Sequence, residues 1–549
     1  MGTHRSVFRT RALATFLLLL CLHPVLFAGP GAAAADPKPK PAKKNLAEQI
    51  NAILGQPQFA RAHWGLDVVE PESGKVVYSL NPDQLFLPAS NAKLLTTAAV
   101  LALAGPDYRF HTTVETTGKI DANGRLQGDL VIVGRGDPNI SGRVVPYQLK
   151  TERIPPHTQM LEEMADQVAR SGLKIVDGDL IGDDTFYAPE RYAEGWAQDD
   201  LQWIDGAPVS ALTFNDNVVF VDINPGEHPG DKALVTQETA SDYYELDNRV
   251  VTTAAGITRK IGIHRDIGSK KIVLWGSLPL GDPGMKEPLA VEDPAEYTAQ
   301  LFREMLERRG ITITGKTRAR HGEIAQFFDQ PPAQEPAATE AKPPQCCMAA
   351  EPTPTPAPVS IPPLVLAEHV SLPLIEDLRV TNKVSENLHA EMALRLVGKL
   401  SGNTPSFEGG VAALKQFLLQ AGLKEDEFVL LDGSGLSRRD LVTPAAVVQL
   451  LIYASHQPWG EAYQESLPLS GVDGSLSERF LKSPAGGMVH AKTGTLSHVN
   501  ALSGYAQTPK GKRFVFSIFC NNHNLPGAKV LATVDEIVKL LVTEGDQAR

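Results

Sequence analysis

Pro88-Ala89-Ser90-Asn91-Ala92-Lys93 runs without a break into Leu94-Leu95-Thr96-Thr97-Ala98-Ala99-Val100-Leu101-Ala102-Leu103 and stops at Ala104-Gly105-Pro106. The run is apolar nearly all round, the pattern of a helix buried on every side, and Gly-Pro ends it. Ser90 therefore opens a buried helix, and Lys93 lies one turn further along the same face. A serine hydroxyl is a weak nucleophile until a base takes its proton. A lysine can be that base when burial or a neighbouring cation lowers its pKa. The helix N-terminus adds N–H donors where an oxyanion would form. Alone, the Ser-x-x-Lys spacing is common, and an N-cap serine satisfies it equally well. Ser171-Gly172-Leu173-Lys174 also matches, but it enters a strand-like run with no buried helix.

Two further patterns follow in order. Ser385-Glu386-Asn387 comes after Val380-Thr381-Asn382-Lys383 and opens a helix over 388–400. In an extended turn, residues i and i+2 point the same way, so a hydroxyl and an amide are offered together. They can relay a proton and hold a substrate amide. Ser79-Leu80-Asn81 and Ser401-Gly402-Asn403 also match, one at a strand end and one in a turn after a helix. The third pattern, His490-Ala491-Lys492-Thr493-Gly494-Thr495, holds the only Lys-Thr-Gly of the chain and lies on a predicted strand. Gly494 leaves room for a substrate backbone, so the strand can bind peptide by β-augmentation. Lys492 offers a cation to a substrate carboxylate and is expected to depress the pKa of Lys93. Thr493 and Thr495 offer hydroxyls to the same carboxylate. Read singly, the last pattern also fits an exposed strand with a solvated lysine.

The ends of the chain match one another. A helical stripe (Leu46, Ile50, Ile53, Leu54) precedes a hairpin of 64–69 and 76–80 about the turn Pro71-Glu72-Ser73-Gly74. Near the other end, strands are predicted at 488–495, 501–506 and 513–519, then an amphipathic helix over 528–543. One antiparallel sheet built from both ends, with both terminal helices packed on it, is expected. Residues 105–289 differ. They are rich in short strands and Gly-Asp turns, with one helix over 158–171, and read as one or two inserted β-rich domains. Gln127-Gly128-Asp129-Leu130-Val131-Ile132 is echoed by Asp177-Gly178-Asp179-Leu180-Ile181. Helical patterning resumes at 293–309. Residues 330–363, dense in Pro, Ala, Glu and Thr, read as a flexible segment.

The 549 residues are too many for one ordinary domain, and 42% hydrophobic content supplies a large core. The net charge of -12 comes with no Lys/Arg stripe, which excludes a nucleic-acid-tracking surface. Arg5, Arg9 and Arg11, the apolar stretch 12–27 and Ala32-Ala33-Ala34-Ala35 make residues 1–35 a signal peptide and the protein an exported one. An uncleaved anchor is the alternative, but His23 and Pro24 interrupt a segment already short for a span. Leu20 before Cys21 speaks against lipidation. Removing the leader takes the charge to -15, since it holds three arginines and no acid. Cys346, Cys347 and Cys520 remain, an odd number with neither metal-site spacing nor a disulfide framework.

Ser-x-x-Lys, Ser-x-Asn and Lys-Thr-Gly in this order resemble the signature of active-site-serine penicillin-recognising enzymes. The long gap between Lys93 and Ser385 resembles the class C low-molecular-mass penicillin-binding proteins, the D-alanyl-D-alanine carboxypeptidase/endopeptidase family. So do Ala207-Pro208-Val209-Ser210-Ala211-Leu212, Asn215-Asp216-Asn217 and Leu431-Asp432-Gly433-Ser434-Gly435-Leu436-Ser437. The resemblance implies an α+β fold of the serine β-lactamase/D,D-peptidase type: an antiparallel sheet flanked by helices, plus a helical subdomain. The peptidase domain would be split into 36–104 and 290–549 around the insert 105–289. It implies a D,D-carboxypeptidase/endopeptidase inhibited by β-lactams, with Ser90, Lys93, Ser385, Asn387 and Lys492 catalytic. Thr493, Gly494 and Thr495 would bind substrate, and N–H groups of Ser90 and Thr495 would form the oxyanion hole. Asp183, in a Gly-Asp-x-Thr segment of the overhanging insert, would meet the stem peptide. No cofactor or metal is implied. The implied partners are peptidoglycan stem peptides and β-lactams, in the periplasm or cell wall, with peripheral membrane association open.

Two other readings stay open at this stage. A serine β-lactamase would need an added deacylating base, and no Glu-x-x-Leu-Asn segment is present. A non-catalytic peptidoglycan-binding protein would keep the motifs as relics. The balance of carboxypeptidase and endopeptidase action, the third stem-peptide residue and the oligomeric state are not written in the sequence.

Overall fold

Both ends of the chain build one sheet. In the computed structural model, which describes residues 45–144, 147, 156–239, 241–328 and 362–545, five antiparallel strands lie side by side. Their order is Lys75–Leu80, His63–Glu70, Arg513–Asn521, Val499–Gln507, Val489–Leu496. Trp64 pairs with Cys520, and Lys492 with Ser503. Period-2 alternation gives the sheet two apolar faces. Leu66, Val68, Leu502, Phe516 and Ile518 face the terminal helices Leu46–Leu54 and Gly527–Glu544, which contribute Ile50, Ile53, Val534, Ile537 and Leu541. Val69, Ala501, Tyr505, Val515 and Phe519 face the helical part. The expected terminal sheet, with both terminal helices on it, is present.

The helix Ala92–Ala104 sits in that second core. Every residue from Ala92 to Leu101 is buried, which answers to its apolar sequence, and Gly105 ends it with a left-handed φ of 76°. It packs against Asn387–Leu400 and Phe407–Gln420. Each fully buried leucine here contributes roughly 1.5–3 kcal/mol over an exposed one.

The middle segment forms its own sheets and its own core around Leu130, Leu180, Val219, Leu274 and Phe302. The two Gly-Asp echoes lie side by side. Arg125–Gln127 pairs in parallel with Ile175–Asp177, and Leu130–Val133 with Leu180–Asp183. The repeat in sequence is thus a repeat in space, with the helix Gln159–Arg170 as the crossover. The same sheets take strands from beyond residue 289: Thr317–Arg320 beside Leu180–Asp183, and Leu364–Val370 beside His111–Thr116. The helix Pro294–Arg308 packs on them, so closely that a Cβ at Gly182 would lie 2.2 Å from the carbonyl oxygen of Ala295. The strands Thr312–Ile313, Thr317–Arg320 and Leu364–Val370, expected with the terminal segments, thus pair with strands of the middle of the chain.

The leader, Cys346, Cys347 and nearly all of the Pro-rich segment lie outside the described residues. Cys520 is a buried free thiol on a central strand. Among the described residues, no helix is long and apolar enough to cross a membrane.

Candidate functional site

The three motifs converge on one cleft of about 480 Å³. Ser90, Ser385, Asn387, Thr493 and Thr495 line it, together with Asp200 and Asp205 of the middle segment and Gly435, Arg438 and Leu496. Ser90 is in a short 3-10 turn, Ala89–Asn91, that feeds directly into the buried helix. Lys93 is fully buried one turn on. Its Nζ donates to Ser90 Oγ at 3.1 Å, to Asn387 Oδ1 at 2.6 Å and to the carbonyl oxygen of Ser434 at 2.8 Å. Lys492 is also fully buried, and its Nζ donates to Ser385 Oγ at 2.8 Å and to its neighbour's carbonyl oxygen at 3.0 Å.

Burial lowers both amines, because the charged form loses its water. Lys93 falls to about 8, with Asp432, Glu391, Glu386 and Asp205 opposing the drop. Lys492 falls well below the usual lysine range, by burial first and then by repulsion from Lys93. The sequence reading had Lys492 depressing Lys93. Burial is the largest cause at both amines, and the Lys93–Lys492 repulsion adds to it at Lys492.

Two non-glycine residues at the cleft are left-handed, Ala89 (φ 47°) and Ser385 (φ 72°). Each such residue costs about 1–3 kcal/mol and persists only where its surroundings hold it. Ala89 is held by the segment 431–437. Gly435 (φ 80°) lies so near that a Cβ there would sit 1.8 Å from the carbonyl oxygen of Ala89. That segment is itself fastened from inside. Glu391 accepts from the N–H groups of Gly433 and Ser434, and Asp432 from those of Gly435 and Ser437. Trp196 of the middle segment donates its indole N–H to Asp432 at 2.9 Å. Burial and the nearby Asp432 push Glu391 up to about 8.

Gly494 is required by the protein's own packing. A Cβ there would lie 2.7 Å from the carbonyl oxygen of Pro88 and 3.0 Å from Asn91 Nδ2. The bare strand accommodates the protein's own serine turn, and Asn91 Nδ2 donates to the carbonyl oxygen of Lys492 at 3.1 Å. Thr493 shares a 2.8 Å hydrogen bond with Ser475.

Asp183 does not reach the cleft. It ends the strand Leu180–Asp183, buried, accepting from the Thr185 N–H at 2.9 Å and hydroxyl at 2.7 Å and from Arg320 at 3.1 Å. Its role is to tie a strand end. The carboxylates of the middle segment that do line the cleft are Asp200 and Asp205. Asp183→Asn is therefore expected to leave peptidase turnover unchanged while lowering stability by roughly 1–2 kcal/mol. Steady-state kinetics and thermal unfolding, measured side by side, check this.

The three unused motif matches lie elsewhere. Ser171 donates to the carbonyl of Val168 at a helix end, Asn81 to that of Trp64, and Ser401 is an exposed helix cap. Among the described residues, no group of His, Cys, Asp or Glu is arranged to hold a metal ion.

A family model described as D-Ala-D-Ala carboxypeptidase 3 (S13) matches residues 46–326 and 355–543. The chain belongs to this family. Its similarity to a D-alanyl-D-alanine carboxypeptidase from a species of Actinomadura is 36% identity over 100% of this chain and 93% of that protein. To the D-alanyl-D-alanine carboxypeptidase DacB of Haemophilus influenzae it is 24% over 82% and 83%. The fold matches the crystal structure of penicillin binding protein 4 from Haemophilus influenzae with a TM-score of 0.72, at 22% identity, covering 90% of this chain and 98% of that one.

In this carboxypeptidase-family chain, sequence reasoning missed Glu391 and Asp205, and it quoted Asp432 and Ser434 without assigning them a role. Glu391 carried a signal, the one acid on the helix, four residues after Asn387 and so on the same face. Ser434 acts through its backbone carbonyl, and so does Asp205, which accepts from Asn387 Nδ2 at 2.9 Å. No residue type announces a backbone contact.

Proposed function

We propose that the chain is an exported serine D,D-peptidase that cleaves D-alanyl-D-alanine and D-alanine cross-link bonds of peptidoglycan through an acyl-enzyme on Ser90. The observation that carries this reading is the 3.1 Å contact of a buried lysine amine with Ser90 Oγ, in a cleft shared with Ser385, Asn387 and the Lys-Thr-Gly strand. Neutral Lys93 takes the Ser90 proton as the oxygen attacks the carbonyl carbon of the penultimate D-alanine. The tetrahedral oxyanion forms against the N–H groups of Ser90 and Thr495. Its collapse breaks the peptide bond, and Ser385, bonded to Lys492, passes a proton to the leaving amine. Water then attacks the Ser90 ester, releases the shortened peptide and restores the hydroxyl. A β-lactam forms the same ester.

The substrate carboxylate is placed beside Thr493, Thr495 and Lys492, where its charge favours a protonated Lys492. Asp200 and Arg438, opposite charges on the cleft wall, suit a stem-peptide side chain that carries both an amine and a carboxylate. The inserted unit, defined by its own core and strand pairing, runs from about 105 to about 370 in this reading. Residues 1–35 direct export to the periplasm or cell wall.

Mass spectrometry of products from intact cross-linked muropeptides tests the reading. Loss of one D-alanine from pentapeptides, or conversion of dimers to monomers, is expected; unchanged muropeptides would overturn it. The pH dependence follows from Lys93. Its amine must be neutral to act, so the acylation rate constant should rise with pH through a midpoint near pH 8 and level off above it. Stopped-flow acylation by a penicillin between about pH 5.5 and 10.5, roughly two and a half units either side of that midpoint, reads it.

A further inference from the structure

The residue between the two functional side chains of the Ser-x-Asn motif is a buried acid. Glu386 has a side chain only 6% exposed, and it caps the helix Asn387–Leu400. One of its partners comes from the middle segment. Arg143 donates through Nη2 to Glu386 Oε2 at 2.8 Å, and through Nε to Asp216 Oδ2 at 2.9 Å. Asp216 is fully buried in turn, and its other oxygen lies 3.3 Å from His389 Nε2. The far nitrogen of His389 is 2.6 Å from Asp377, which also accepts from Asn139 at 3.3 Å. His389 lies two residues past Asn387 on the same helix. These charged groups thus close a loop: from Glu386 through Arg143 and Asp216 of the middle segment, and back to the motif's own helix.

Two features show that this loop is held under constraint. Asn215, Asp216 and Asn217 are three consecutive non-glycine residues with φ of 52°, 54° and 54°. Asn217 Nδ2 pins that turn to the carbonyl of Pro208 at 2.8 Å, and Asn215 Nδ2 pins it to that of Val218 at 3.3 Å. Left-handed runs of this kind persist only where the surroundings over-determine them. At the other end of the loop, Ser385 is itself left-handed and adjoins Glu386. A second tie, from Asn387 Nδ2 to the carbonyl of Asp205, comes from the same middle segment.

The geometry points to Arg143, Asp216 and His389 as positioning residues of the reaction: they clamp Glu386 so that Ser385 and Asn387 stay aimed at the cleft and its charge is screened from Lys93. This rests on the peptidase reading above. The charged groups that face Lys93 are Asp432 from the segment 431–437, Glu391 and Glu386 from the helix 387–400 and its cap, Asp205 from the middle segment, and Lys492 from the strand. Of the four acids, Glu386 has an arginine bonded to it across the two parts of the chain. The insert thereby becomes part of the frame that sets the Ser-x-Asn motif, in addition to walling the cleft.

The test is the pH profile of Ser90 acylation by a fluorescent penicillin in the full mature chain. Arg143→Gln removes one cation that screens Glu386, which stabilises the Lys93 ammonium. Its acid limb should move to higher pH, and loosening of the motif should slow acylation by about a hundredfold. Glu386→Gln removes the charge that holds a proton on Lys93, so its acid limb should move to lower pH. The double variant should return the limb towards its original place while remaining slow. A structural role alone would slow all three without opposite shifts. If Arg143→Gln does not fold, the direction of the Glu386→Gln shift decides. Limbs that stay in place, or that move the same way in both single variants, would overturn the clamp. An unsubstituted protein that takes no label would instead overturn the peptidase reading.

Discussion

Replacing Ser90 by alanine is expected to abolish the penicilloyl adduct and to cut D-alanine release by about 10⁴-fold or more, because the covalent route then has no nucleophile. The fold should not suffer. Ser90 is half-buried at the cleft, and the turn around it is held by other contacts: Asn91 to Lys492, Gly435 against Ala89, and the buried helix behind. Intact-mass spectrometry after incubation with a penicillin, with thermal unfolding as control, reads both halves of the prediction. A well-folded alanine variant that still gained the mass of the drug would place the nucleophile elsewhere.

The second large effect is that of Lys93→Met. A general base contributes about 10²–10⁴-fold, and the loss should fall on acylation. Two effects on stability oppose one another. Removing a buried amine relieves its desolvation, while Asn387 Oδ1 and the Ser434 carbonyl lose their donor. Thermal unfolding should therefore shift little while acylation collapses. The pH profile discriminates further. Whatever acylation remains in Lys93→Met should lose the rise centred near pH 8, since the group that titrates is gone. A variant that kept that rise would assign it to another base. Lys492 is the group to examine then, since burial lowers it as well.

These two residues were legible in the sequence because their signal is local. Ser90 and Lys93 are three residues apart on a run whose apolar character can mean only a buried helix. The Lys-Thr-Gly strand and the Ser-x-Asn turn are equally short. Asp183 shows the limit. A Gly-Asp-x-Thr segment looks the same in sequence whether its carboxylate faces a cleft or ties a strand end to Thr185 and Arg320, and here it does the latter. Gly494 shows a second limit. Its lack of a side chain was legible, but not that the space would be filled by Pro88 and Asn91, four hundred residues earlier in the chain.

By itself, the sequence determined which segments are helix and strand at the two ends of the chain, which three short motifs are the candidates for the chemistry, and that a β-rich stretch stands between them. Periodicity and motif spacing are written within a few residues of one another, so local physics suffices to read them. Only the tertiary structure decided where strands 312–320 and 364–370 pair, that Lys93 and Lys492 are both fully buried, and that Asp205, Arg143 and Asp216 reach across to the Ser-x-Asn motif. Strand partners, desolvation and buried ion pairs arise between residues far apart in sequence. They come into being only when the chain closes around them.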